Sequence, residues 1–127
     1  MSQQGSFSSQ PAGGESQVLM LDGDFDRSNT RPFEQALDDA LHADRPQLIV
    51  DLRGVSSLDS TMLRTLIRGL GNAAGRGGRL ALIRPNATVW RVFVLTGLSQ
   101  TLPTFGRLDE ALASFGLDRG GAPAARD

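Results

Sequence analysis

The chain has 127 residues and a formal net charge of −1, which suits one domain with one core and leaves no basic footprint for nucleic acid. It has no cysteine, so disulfides, thiolate metal sites and cysteine nucleophiles are excluded, and its single histidine, His42, cannot anchor a zinc site alone. All 13 basic residues are arginine, which removes every mechanism that needs a lysine.

Residues 1 to 16 are Ser, Gln and Gly with one aromatic, too little apolar surface to offset the entropy of ordering, and are expected to form a disordered tail. "VLML" (Val18 to Leu21) reads as a buried strand ended by a turn at Asp22-Gly23. It is too short for a signal-peptide core, and no stretch approaches the roughly 20 apolar residues of a membrane span, so a cytoplasmic protein without a membrane partner is expected. Thr30 as a cap, Pro32 in the first turn, and Phe33, Ala36, Leu37, Ala40 and Leu41 at helical spacing predict an amphipathic helix.

"QLIVDL" (Gln47 to Leu52) has the near-continuous apolar character of a central strand covered on both faces. Leu63, Leu66, Ile67 and Leu70 predict a second helix with stop signals at Gly71 and Gly75, and "RLALI" (Arg79 to Ile83) is the next strand. Strand, helix and strand in this order make a parallel βαβ unit. A short helix around Val89, Val92 and Phe93, a brief strand at "TLPTF" and a last helix through Phe115 complete residues 17 to 116. Residues 117 to 127 are expected to be a second disordered tail. The order β-α-β-α-β-α-β-α makes the fold class an α/β sandwich with a small, partly parallel sheet.

Four hydroxyls and a carboxylate precede the second helix in "SSLDSTMLRTL" (Ser56 to Leu66). Asp59 or Ser57 serves as a helix cap on the simplest reading, because the first backbone N–H groups of a helix need acceptors. One cap suffices, however, and Ser56, Ser57, Ser60 and Thr61 are all present at the C-terminal end of a central strand, where open α/β sheets place functional loops. "DGDFD" (Asp22 to Asp26) falls at the same sheet end; it lacks the spacing of a calcium loop and reads as a solvated turn. His42 reads as structural near a helix C-terminus, a serine hydrolase finds no nucleophile elbow, and Trp90 reads as core or edge packing.

"LIVDLRGVSSLDSTMLRTLIRGL", together with "LDGDFD" and "RVFVLTGLSQTLPTFGRLDEAL", resembles the STAS domain family, in particular the bacterial anti-sigma factor antagonists. The resemblance spans about Val18 to Phe115 and implies a STAS-type α/β sandwich, with a mixed four- or five-stranded sheet and about four helices, and a non-catalytic protein without a cofactor. It implies that Ser60, directly after the motif Asp59, is the phosphoacceptor, and that the partner surface is made by Asp24, Asp26, Ser57, Asp59, Ser60, Thr61, Met62 and Arg64. The implied partners are an anti-sigma factor with serine kinase activity and a phosphoserine phosphatase. A STAS subunit of a lipid-trafficking transporter and a stress-complex scaffold are the alternatives within the family. Met62 stands where the family motif has glycine, and is expected to alter the surface beside the serine. The family's N-terminal strand has no visible counterpart in residues 1 to 16.

Overall fold

The computed structural model describes residues 4–12 and 14–116; the C-terminal tail expectation, residues 117 to 127, lies outside them. Five strands form one sheet in the order β1-β2-β3-β4-β5, namely β1 (Ser6–Pro11), β2 (Gln17–Phe25), β3 (Gln47–Leu58), β4 (Arg79–Ile83) and β5 (Thr104–Phe105). β1 runs antiparallel to β2, and the other neighbouring pairs are parallel. The helices are α1 (Arg31–Ala40), α2 (Ser60–Gly75), α3 (Ala87–Leu95), the single turn α4 (Leu98–Thr101) and α5 (Leu108–Ser114). This is the mixed α/β sandwich expected from the sequence, with α4 as an added turn.

The pleat of β3 explains the architecture. Leu48, Val50 and Leu52 meet Phe33 and Leu37 of α1, Met62 and Leu66 of α2, and Val89 and Phe93 of α3 in one core. Ile49 joins Val18, Ala81 and Ile83 against Ala111 of α5 and Phe115 at its C-terminal cap in a second. Side chains alternate between the faces of a strand, so two covered faces demand an almost unbroken apolar run. Asp51 interrupts that run and is buried, but Arg53 donates to it through Nε (3.0 Å to Oδ1) and Nη2 (2.8 Å to Oδ2). A buried carboxylate is tolerated when paired and hydrogen-bonded in this way.

Three expectations are corrected. Ser6–Pro11 is not part of a disordered tail: it pairs in register with Gln17–Asp22 of β2, and Phe7 packs edge-on against Phe33 with ring centroids 6.0 Å apart. A ladder of backbone hydrogen bonds on an existing sheet edge needs few apolar side chains, which is why composition hid it. The chain does not turn at Asp22-Gly23; β2 continues to Phe25 through two register shifts against β3. β3 likewise runs past Leu52 to Leu58, beyond the end of β4, with β2 alone as its ladder partner there. α2 passes through Gly71 and ends at Gly75, and Gly77 (φ +74°) then turns the chain into β4. Gly78 follows where a Cβ would lie 2.0 Å from the Pro46 carbonyl oxygen.

α1 is tied to α2 by Glu34, whose Oε2 accepts from Arg68 Nη2 (2.7 Å) and Thr65 Oγ1 (3.1 Å). The hydrogen bond from Arg68 is the main reason the Glu34 carboxyl is held below its ordinary value of 4.5. A group with a depressed folded pKa contributes stability above its unfolded pKa and loses it as pH falls through the folded value. The contribution is small because the pair is solvent-screened. Thermal melts in acid should therefore show Glu34→Gln losing less stability than wild type as pH drops below about 4.5. Equal slopes would remove this tie from the acid response.

Candidate functional site

The ends of β2 and β3 and the start of α2 come together at the C-terminal end of the parallel strands. Asp24 and Ser57 are register partners, and Ser57 Oγ donates to Asp24 Oδ1 at 3.0 Å. The Asp24 carbonyl is held from outside the strand pair by Gly5 N–H and Asn29 Nδ2, each at 2.8 Å. Asp59 N–H donates to the Phe25 carbonyl at 3.2 Å, which fixes the start of α2 to the end of β2.

Asp59 has extended backbone and caps α2, its Oδ1 accepting from Thr61 N–H (3.0 Å) and Met62 N–H (3.2 Å). The helix therefore begins where its first free N–H groups find a carboxylate, with the N-terminal dipole adding to the attraction. Replacing Asp59 with alanine should cost about 1 kcal/mol, read as a lower denaturation midpoint with an unchanged slope. An Asp59→Ala chain as stable as wild type would show that the cap contributes nothing.

Ser60 is the first residue of α2 and is exposed, and among the described residues no hydrogen bond engages its Oγ. The hydroxyl is presented to solvent. Asp26 is also exposed, and donation from the Ser28 hydroxyl (2.6 Å) and Ser28 N–H (2.8 Å) holds its carboxyl below the ordinary value. It stays ionised into moderately acidic solution and keeps the rim negative. Arg64 lies one turn beyond Ser60 on the exposed side of α2, and Thr61 is half-buried, its carbonyl accepting from Thr65 Oγ1 at 2.9 Å.

Met62 does not belong with these residues. It is 0 % exposed, packed in the core beneath α2. The third residue of the helix turns inward here, so the departure from the motif glycine changes packing under the site and not the surface a partner meets. Asp24, Asp26, Ser57, Asp59 and Ser60 thus gather at one end of the sheet, Thr61 and Arg64 border them, and Met62 is removed from the contact set.

Two supports were not foreseen. Asn29 clamps Asp24 and also accepts from Asp26 N–H at 2.9 Å, a local turn for which "DRSN" carries the side-chain signal. Asn86 caps α3 by accepting from Val89 N–H (2.9 Å) and donates to the Val55 carbonyl (3.0 Å), so α3 is pinned to the strand leading into the site. No sequence signal announces that long-range bond. His42 follows the far end of α1, its Nδ1 3.1 Å from the Asp38 carbonyl. α1 starts after β2, near Ser60, and spans about 15 Å. His42 is therefore placed away from Ser60, and among the described residues its ring pairs with no serine.

Comparison with known proteins agrees with this geometry. The family described as "Mlab, STAS domain" matches residues 8–105, and the chain belongs to the STAS domain family. A protein of Thermotoga maritima named "Putative anti-sigma factor antagonist" is 28% identical over 96 residues, which is 75% of this chain and 85% of that protein. The crystal structure of an anti-sigma factor antagonist from Mycobacterium paratuberculosis superposes with a TM-score of 0.78 at 24% identity, over 88% of this chain and 94% of the other. The Bacillus cell fate determinant SpoIIAA in its phosphorylated form shares the fold with a TM-score of 0.66 at 20% identity, covering 86% and 98% of the two chains. Among the described residues no helix is long and apolar enough to cross a membrane.

Proposed function

We propose that this chain is a phosphorylation-controlled anti-sigma factor antagonist: it binds an anti-sigma factor through the Ser60 surface, and phosphorylation of Ser60 ends the binding. The observation that carries the reading is the solvent-facing Ser60 hydroxyl at the start of α2, next to the capping Asp59 and at the sheet end that carries Asp26. The named relatives support it, and so does a phosphorylated form among the proteins of the same fold. The kinase is the anti-sigma factor itself, a separate phosphatase resets the switch, and both act with this chain in the cytoplasm. ATP and Mg²⁺ are bound by the kinase, and this chain performs no catalysis.

Phosphate on Ser60 brings about −1.5 to −2 charges. The helix N-terminus favours negative charge, yet Asp59 already occupies the N–H groups of Thr61 and Met62. The phosphate therefore adds charge beside an existing carboxylate and displaces none of the cap, so the fold persists while the surface becomes strongly anionic. Like-charge repulsion and desolvation then act on the docked partner and not on the core.

The test is to incubate the chain with the captured anti-sigma factor and Mg·ATP and locate the phosphate by peptide mass spectrometry. A single phosphate on Ser60, absent in Ser60→Ala, is expected. Phosphate elsewhere, or none, contradicts the reading.

A further inference from the structure

Four large apolar side chains are exposed among the described residues, Ile67 (38 %), Val92 (36 %), Val94 (51 %) and Leu95 (76 %), and all four lie on α2 and α3. In α3 only Thr88 and Arg91 are polar, yet only Val89 and Phe93 are buried. A helix that is apolar all round is ordinarily covered all round. Val92, Val94 and Leu95 fall instead within one turn of its outer side.

This apolar surface adjoins the Ser60 corner. α2 and α3 contribute Met62, Leu66, Val89 and Phe93 to one core on one face of the sheet, and both helices follow the C-terminal ends of parallel strands. The bond from Asn86 to the Val55 carbonyl holds the start of α3 there. Ile67 comes seven residues after Ser60, two turns and about 10 Å along the same side of α2. Arg64 lies between them and Arg91 one turn before Leu95; both are exposed and in no ion pair among the described residues, and neither helix contains an acidic residue. A stable interface covers about 800 Å² on each partner, with a core depleted of charge and a polar rim. The Ser60 corner, made of carboxylates and hydroxyls, has the composition of a rim, and the outer faces of α2 and α3 have that of a core.

We infer that the anti-sigma factor seats an apolar patch on Ile67, Val92, Val94 and Leu95 and sets carboxylates on Arg64 and Arg91, with Ser60 at the rim of that contact. Most of the affinity then comes from the apolar helices, and the switch acts from their border. A phosphate on Ser60 would stand one turn from Arg64, where it repels the partner's carboxylates and neutralises the arginine that attracts them.

The inference rests on the proposed function, and one experiment separates the two. The captured anti-sigma factor is titrated calorimetrically with wild type, Ser60→Asp, Leu95→Gln, the double variant Ile67→Gln/Leu95→Gln, Arg91→Glu, and Gln10→Glu on the exposed β1 edge as control. Leu95→Gln should bind about thirtyfold more weakly and the double variant more weakly still. Arg91→Glu should lose about tenfold and show a flatter salt dependence, and Gln10→Glu should bind as wild type does. Every variant should melt within a few degrees of wild type, so that lost binding is not lost fold. If Ser60→Asp weakens binding while Leu95→Gln and the double variant do not, the function stands and this inference is overturned. If wild type binds no anti-sigma factor, both fall. A wild-type dimer in sedimentation that Leu95→Gln splits, with partner affinity unchanged, would assign the face to a second copy of this chain and also overturn the inference.

Discussion

Ser60→Asp is expected to bind the anti-sigma factor more than about a hundredfold more weakly than wild type, a loss of about 3 kcal/mol, while Ser60→Ala binds about as tightly as wild type. The asymmetry follows from the site. Alanine removes a hydroxyl that no hydrogen bond engages among the described residues, whereas aspartate puts a third carboxylate beside Asp59 and the ionised Asp26 on a face that must be desolvated. An acidic residue in the first turn of a helix is favoured by the dipole, so the melting temperature of Ser60→Asp should stay within a few degrees of wild type. Calorimetric titration of the three proteins with the purified partner, alongside their melts, separates lost binding from lost fold. Equal weakening by alanine and aspartate would make Ser60 a contact residue with no electrostatic switch.

Met62→Gly should be the most damaging change to stability among the motif residues, at about 3 to 6 kcal/mol. Truncating a fully buried methionine to alanine costs about 2 to 5 kcal/mol through lost burial and the cavity left behind, and glycine in place of alanine adds about 1 kcal/mol in a helix. Met62 is 0 % exposed and packs with the core that joins α2 to the sheet, so the cost should fall in the upper part of that range. Restoring the family's glycine thus harms this chain, because the surrounding core has a methionine-sized space. Urea unfolding measures the loss, and partner affinity of the remaining folded fraction should be unchanged. A loss below about 1 kcal/mol would mean that the neighbouring side chains collapse into the space.

The alternation of apolar runs in the sequence carried most of the fold. Gln47 to Leu52 and Arg79 to Ile83 read correctly as parallel strands because burial on both faces leaves an unmistakable apolar run. β1 was illegible because an edge strand is held by backbone pairing, which a polar sequence such as "SFSSQP" makes as well as any other. The extension of β3 through Ser56 and Ser57 was hidden for a related reason: with β2 alone alongside, only Val55 there is deeply buried, and polar residues occupy the exposed positions. At the candidate site, the cap at Asp59 and the start of α2 at Ser60 were identifiable from local capping chemistry. Met62 was misplaced because its orientation depends on which face of α2 meets the sheet, which the motif alone does not state. The bond from Asn86 to Val55 joins residues 31 apart, and nothing local encodes it.

The central claim is most directly tested by capturing partners from native lysate with tagged wild type and Ser60→Asp, and quantifying the recovered proteins by mass spectrometry. The account predicts a kinase-fold anti-sigma factor held by wild type and lost by Ser60→Asp. Equal recovery of a transporter ATPase by both would contradict it, and would leave the Asp59-Ser60 corner as a helix cap and contact surface in lipid traffic.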